Sequence, residues 1–130
     1  MQDADFSDEF CTFIQRAVPT IEAVELLLIV LGQPEKWWTA SELAATGRPG
    51  LSLTDIQAGR YLETLYGQGL LSKGADNRFR YAPDANAAEA HVRTLAQAYR
   101  ERPVTLIRMI YALRDARIRS FADAFKVRGK

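Results

Sequence analysis

The sequence predicts a mainly α-helical fold that carries one small β-hairpin. Three observations predict it. Hydroxyl side chains recur just ahead of apolar-periodic runs, at Thr20, Thr39 and Ser52, where they can cap helices. The segment LYGQGLLSKGADNRFRYAP, residues 65–83, breaks helical periodicity at Gly-Gln-Gly and again at Gly-Ala-Asp-Asn, and returns as alternating Arg78, Phe79, Arg80 and Tyr81. After Pro83, long helical periodicity resumes and continues towards the C-terminus.

Taken in order, residues 1–9 are expected to fray. Phe10 to Val18 reads as a short helix stopped by Pro19. Thr20 caps a helix over Ile21 to Leu31 that is apolar on nearly every side, so it belongs in the core; Gly32-Gln33-Pro34 ends it. In KWWTASEL, Thr39 and Glu42 have the spacing of a capping box, and Trp38 and Leu43 that of a hydrophobic staple. A helix from Ala40 to about Thr46 follows, ended by Gly47. Trp37 and Trp38 before it are expected to form a short strand, one ring in the core and one at the surface. In LSLTDIQ, Ser52 is the expected N-cap, Asp55 the third helical residue, and Leu51 the staple onto Ile56. That helix spans 53–66 and buries Ala58, Leu62 and Leu65.

The hairpin occupies 70–82, with Arg78 and Arg80 on one side and Phe79 and Tyr81 sealing the other against the core. Asp84 or Asn86 is expected to cap the next helix, which carries Val92, Leu95 and Tyr99 on one face. Pro103 suits the first turn of a further helix, PVTLIRMIYAL. The last segment, RIRSFADAFKVR, sets Ile118, Phe121, Ala122 and Phe125 against a basic side. This divides the chain into an N-terminal arm and short helix (1–19), a central unit (20–83) and a C-terminal helical region (84–130), packed as one compact unit.

The chain has 130 residues, enough for one modest core. A single cysteine, Cys11, and a single histidine, His91, exclude an intrachain disulfide and a Cys/His zinc cluster. The apolar run Ile21 to Leu31 contains Glu22 and Glu25 and is too short to span a bilayer, and the acidic N-terminus is unlike a signal peptide. A cytoplasmic location without membrane contact is the expectation. No glycine-rich phosphate loop, metal-ligand spacing or nucleophile paired with a base occurs, so neither catalysis nor a cofactor is expected. Charge is polarised along the chain. Residues 1–51 carry 3 Lys/Arg against 8 Asp/Glu, whereas residues 88–130 carry 10 against 4. Either these are two solvated helix surfaces of opposite sign, or the basic end faces a partner.

The order of elements is core helix, short strand, short capped helix, tight turn, second capped helix, hairpin, further helices. The stretch WWTASELAATGRPGLSLTDIQAGRYLETLYGQGLLSKGADNRFRYAP carries it, and residues 20–82 resemble the winged helix-turn-helix domain of bacterial transcriptional regulators of the MarR and PadR types. SELA is similar to the first helix of that motif, and LTDIQAGRYLETLYGQGLL to its recognition helix leading into the wing. The resemblance implies a homodimeric regulator that binds double-stranded DNA.

On that reading the outward residues of helix 53–66 are Thr54, Gln57, Arg60, Tyr61 and Thr64, and each has an expected part. Gln57 can pair with adenine and Arg60 with guanine. Ser52 and Thr54 meet phosphate at the helix start. Gly59 leaves room for close backbone approach. Lys73, Arg78 and Arg80 on the wing grip the flanking backbone. The bland alternatives are that Arg60 pairs with Glu63 or Glu42 and that Tyr61 packs on the core. Asp55 and Glu63 on the same helix oppose phosphate binding. This keeps open a protein-docking module that uses the basic C-terminal helices, and also a sensor with an effector between the winged unit and those helices. The apolar load of Ile107, Ile110, Tyr111, Ile118, Phe121 and Phe125 exceeds what so small a domain needs, so these residues are expected to form the dimer interface; the alternative is that they pack on the N-terminal helix and complete the core of a single chain.

Overall fold

The computed structural model describes residues 6–46 and 53–114. These form α1 (Asp8–Ala17), α2 (Ile21–Gly32), α3 (Ala40–Thr46), α4 (Asp55–Gly67), β1 (Leu71–Lys73), β2 (Phe79–Tyr81) and α5 (Asn86–Glu101), with a sixth helix, α6, over 103–114. The protein is mainly helical, with a small antiparallel β wing.

The N-terminal arm is more ordered than its composition suggests. Ser7 caps α1 by accepting from the Phe10 N–H at 3.0 Å. Phe6 is buried and stacks on Phe10 with ring centroids 5.2 Å apart. The expectation that residues up to 9 fray therefore fails for 6–9, because a cap and a buried ring hold them. Phe10, Ile14 and Ala17 bury the inner face of α1.

Thr20 caps α2 by accepting from the Ala23 N–H. The helix is buried along Ala23, Val24, Leu26, Leu27 and Val30 and forms the centre of the core. Its one buried charged residue, Glu25, accepts a hydrogen bond from the Tyr99 hydroxyl of α5, as a buried carboxylate requires.

Trp38 exchanges two backbone hydrogen bonds with Phe79, at 2.7 and 2.8 Å. The expected tryptophan strand is thus a single bridge that anchors the hairpin to the segment before α3. Trp38 is the core ring, and Trp37 is half-buried. The capping box of α3 is formed: the Thr39 N–H donates to Glu42 Oε1 at 2.9 Å, and the Glu42 N–H donates to Thr39 Oγ1 at 3.1 Å. Trp38 and Leu43 are both buried, as a staple pair requires.

The N-terminus of α4 lies two residues later than expected. Its cap is Thr54, not Ser52. The Gln57 N–H donates to Thr54 Oγ1 at 3.1 Å, and the Thr54 N–H donates to Gln57 Oε1 at 3.0 Å. The reason is local: Thr54 has a glutamine three residues on, as the reciprocal box demands, whereas Ser52 has Asp55. Leu51 and Ser52 lie outside the described residues. The staple position then falls to half-buried Leu53, and Ile56 is left in solvent.

In the hairpin Leu71 pairs Tyr81, Ser72 pairs Arg80 and Lys73 pairs Phe79. Its turn holds Asp76 and Asn77 at φ 61 and 56, a region these residues tolerate. Gly69 enters the hairpin at φ +80, and a Cβ there would come within 2.5 Å of the Asp84 carboxylate. The Asp84 N–H donates to the Gly69 carbonyl at 2.8 Å, and α5 starts behind Ala85 with no side-chain cap. The expected cap from Asp84 or Asn86 is absent.

Pro103 opens α6 as expected. Leu106, Met109 and Ile110 are buried in the same core as Val92, Leu95 and Ala98 of α5. Ile110 is therefore not an interface residue: it is 1% exposed within the single chain. Ile107 is half-buried and Tyr111 is 53% exposed. Ile118, Phe121 and Phe125 lie outside the described residues. Among the described residues no helix is long and apolar enough to cross a membrane.

Candidate nucleic-acid interface

The site is the outer face of α4 together with the wing turn. Ala58, Leu62 and Leu65 fix the rotation of α4 by their burial. At about 100° per residue, Ile56 and Arg60 stand roughly 160° from Ala58, one on each side, so they point directly away from the core. Glu63 lies on the same outer face. A groove of about 710 Å³ runs beside it, lined by Ser41 of α3, Ile56, Arg60 and Thr64 of α4, and Asp76 and Asn77 of the wing turn.

The expected site residues divide into three groups. Arg60 and Thr64 are exposed and open onto this groove, and Arg60 is in no ion pair among the described residues. Thr54 and Gln57 are exposed but hold each other in the capping box, so the Gln57 carboxamide oxygen is already engaged. Tyr61 is turned aside. It is half-buried, and its hydroxyl accepts from the Thr20 hydroxyl of α2 at 3.1 Å. Tyr61 thus ties α4 to the core and is removed from the outer face. Ser52 lies outside the described residues. Gly59 faces α3, where an added Cβ would meet the Ala40 Cβ at 3.8 Å. Its smallness serves helix packing rather than approach from outside.

On the wing, Lys73 reaches back to α4 and pairs with Glu63 at 2.7 Å. Its ammonium also lies 5.5 Å from the Phe79 ring centroid and 5.9 Å from that of Tyr66. Glu63 is thus paired with the wing lysine and not with Arg60. The Arg80 guanidinium stacks over Trp37 at 4.7 Å and is half-buried. Arg78 is exposed at the end of the turn, beside a smaller hollow of about 290 Å³ shared with Trp37 and Gly74. A Cβ on Gly74 would approach the Trp37 ring to 2.9 Å, so this glycine lets the ring lie flat on the turn.

Electrostatically the face is balanced: Arg60, Lys73, Arg78 and Arg80 stand among Glu42, Asp55, Glu63 and Asp76. Three of those acids are engaged. Glu63 is paired with Lys73, and Asp55 accepts from the Ser41 hydroxyl at 2.7 Å. The capping N–H of Thr39 holds the Glu42 carboxyl below its ordinary range, assisted by Lys36 and Arg78. On the inner side of the wing, burial raises the Tyr81 phenol, and Glu89 adds to it.

Ile56 is the residue that sequence reasoning missed. Its assignment to a staple hid it, although the phase of the buried stripe at Ala58, Leu62 and Leu65 sets it opposite the core. Among the described residues no group of three or more His, Cys, Asp or Glu side chains is arranged to hold a metal. Compared with family models, with curated proteins and with solved structures, the chain has no match.

Proposed function

We propose that this chain is a winged helix-turn-helix DNA-binding regulator, related in plan to the MarR and PadR types, in which α4 enters the major groove and the wing turn contacts flanking phosphate. The observation that carries the reading is the presentation of α4. The helix has 13 residues, about 20 Å of length. Its outer face exposes Arg60 and Thr64, and a hairpin stands beside it with Arg78 exposed. A helix so presented fits a groove about 12 Å wide. The pairing of Glu63 by Lys73 supports the same reading, since it cancels the charge most opposed to phosphate on that face. A cytoplasmic homodimer assembled through the C-terminal region completes the proposal, with Ile107 and Tyr111 as candidate contacts among the described residues.

A second reading rests on the balanced charge. Phosphate attraction supplies most of non-specific DNA affinity, and a face with as many acids as bases supplies little of it. The same groove then suits a protein partner. A gel-shift titration over genomic fragments at several salt concentrations separates the two. A steep loss of affinity with salt supports DNA. Absence of binding at low salt supports docking.

A further inference from the structure

Ile56 is 69% exposed at the second position of α4. An isoleucine so placed contributes almost nothing to folding, because apolar area stabilises only when removed from water. It lies on the axis of the outer face, one helical turn before Arg60, and lines the groove with it. Building on the DNA-binding reading, we infer that Ile56 is a specificity residue that reads the C5-methyl group of a thymine.

The chemistry of the major groove selects that partner. Donors and acceptors line the base edges, and among the four standard bases only thymine offers an apolar group there. An aliphatic side chain set against guanine or adenine edges would desolvate N7, O6 or N6 without replacing their hydrogen bonds, which costs free energy. Against thymine the same side chain buries its own surface and that of the methyl. Arg60, four residues on, is about 6 Å further along the helix axis. Base pairs stack at about 3.4 Å, so the two side chains span roughly two base steps. The preferred site therefore holds a thymine, read by Ile56, and a guanine, read by Arg60, one or two pairs apart.

The test uses duplexes selected by the full chain from a randomised 20-base-pair library. Each thymine of the selected site is replaced in turn by deoxyuridine, which keeps Watson–Crick pairing and lacks only the methyl. The expected result is one position in each half-site at which uracil weakens binding about fourfold, the equivalent of one buried methyl at about 0.8 kcal/mol. That sensitivity is lost in Ile56→Ala and retained in Ile56→Val. Arg60→Ala keeps the uracil effect and relaxes the guanine preference. Uracil tolerated at every position, or an undiminished uracil effect in Ile56→Ala, overturns the assignment of Ile56 and leaves DNA binding standing. Failure to select any duplex, with no affinity for random DNA at low salt, overturns both.

Discussion

Replacement of Ile110 and Tyr111, neighbours on α6, by alanine separates folding from assembly. Ile110 is 1% exposed and Tyr111 is 53% exposed in the single chain. Ile110→Ala removes three carbon groups, about 2.4 kcal/mol of transfer free energy at about 0.8 each. The cavity left among Leu106, Met109 and the core adds to that, giving about 3–4 kcal/mol, inside the usual range for such changes. With a urea m-value of about 1–3 kcal/mol/M, the unfolding midpoint should fall by roughly 2 M, while the protein stays folded in water. Tyr111→Ala should change folding stability by less than about 0.5 kcal/mol. If Tyr111 lies in a dimer contact, its loss weakens association by about 2 kcal/mol, roughly thirtyfold. Urea denaturation followed by far-ultraviolet circular dichroism reads the first effect, and light scattering at graded concentration reads the second. A loss below about 1 kcal/mol in Ile110→Ala would refute the argument that α6 completes the core of one chain. A wild type that is monomeric at tens of micromolar would remove Tyr111 and Ile107 from any dimer contact.

Three further outcomes follow from the site. Thr54→Ala should destabilise the protein by about 1 kcal/mol through loss of the α4 cap, and Gln57→Ala should cost a smaller part of the same box; thermal melts of both variants check this, and a Gln57→Ala variant with unchanged stability would contradict the geometry. Arg78→Ala should leave stability within about 0.5 kcal/mol and reduce the salt slope of DNA binding by about one unit per subunit, about two in a dimer, while Arg80→Ala should lose about 0.5–1 kcal/mol of stacking on Trp37 and change tryptophan fluorescence. Glu42 has a folded-state pKa below its ordinary value of 4.5, so its capping contribution is present above that value and is lost as pH falls through the folded pKa; Glu42→Gln, which can still cap, should show a shallower acid-side loss of stability than wild type in melts between pH 6 and 3.

Much of the fold was legible because its signals are local. The Thr20 cap, the Thr39–Glu42 box and the Pro103 start each depend on residues within about one turn, and each formed as its spacing required. Where two local signals competed, at Ser52 and Thr54, the glutamine at 57 decided. The site was less legible because its contacts are long-range. Lys73 reaches Glu63 only because the hairpin folds back on α4, and Tyr61 meets Thr20 across 41 residues of chain. No sequence spacing announces either. The apolar stretch of α6 was ambiguous for the same reason: whether Ile110 faces the chain's own core or a second copy depends on how α6 packs, not on periodicity. Ile56 could have been found from the helical phase alone, had Leu51 not offered it an apolar partner.

The central claim is that the outer face of α4 and the wing turn meet DNA, and the salt dependence of binding to mixed-sequence duplex tests it most directly. With Arg78 neutralising a phosphate in each subunit of a dimer, the plot of log affinity against log salt should fall with a slope of about −2. It should be nearly flat in Arg78→Ala and little changed in Arg60→Ala, whose side chain reads a base rather than phosphate. A wild-type slope near zero, or equal slopes in wild type and Arg78→Ala, would contradict the account.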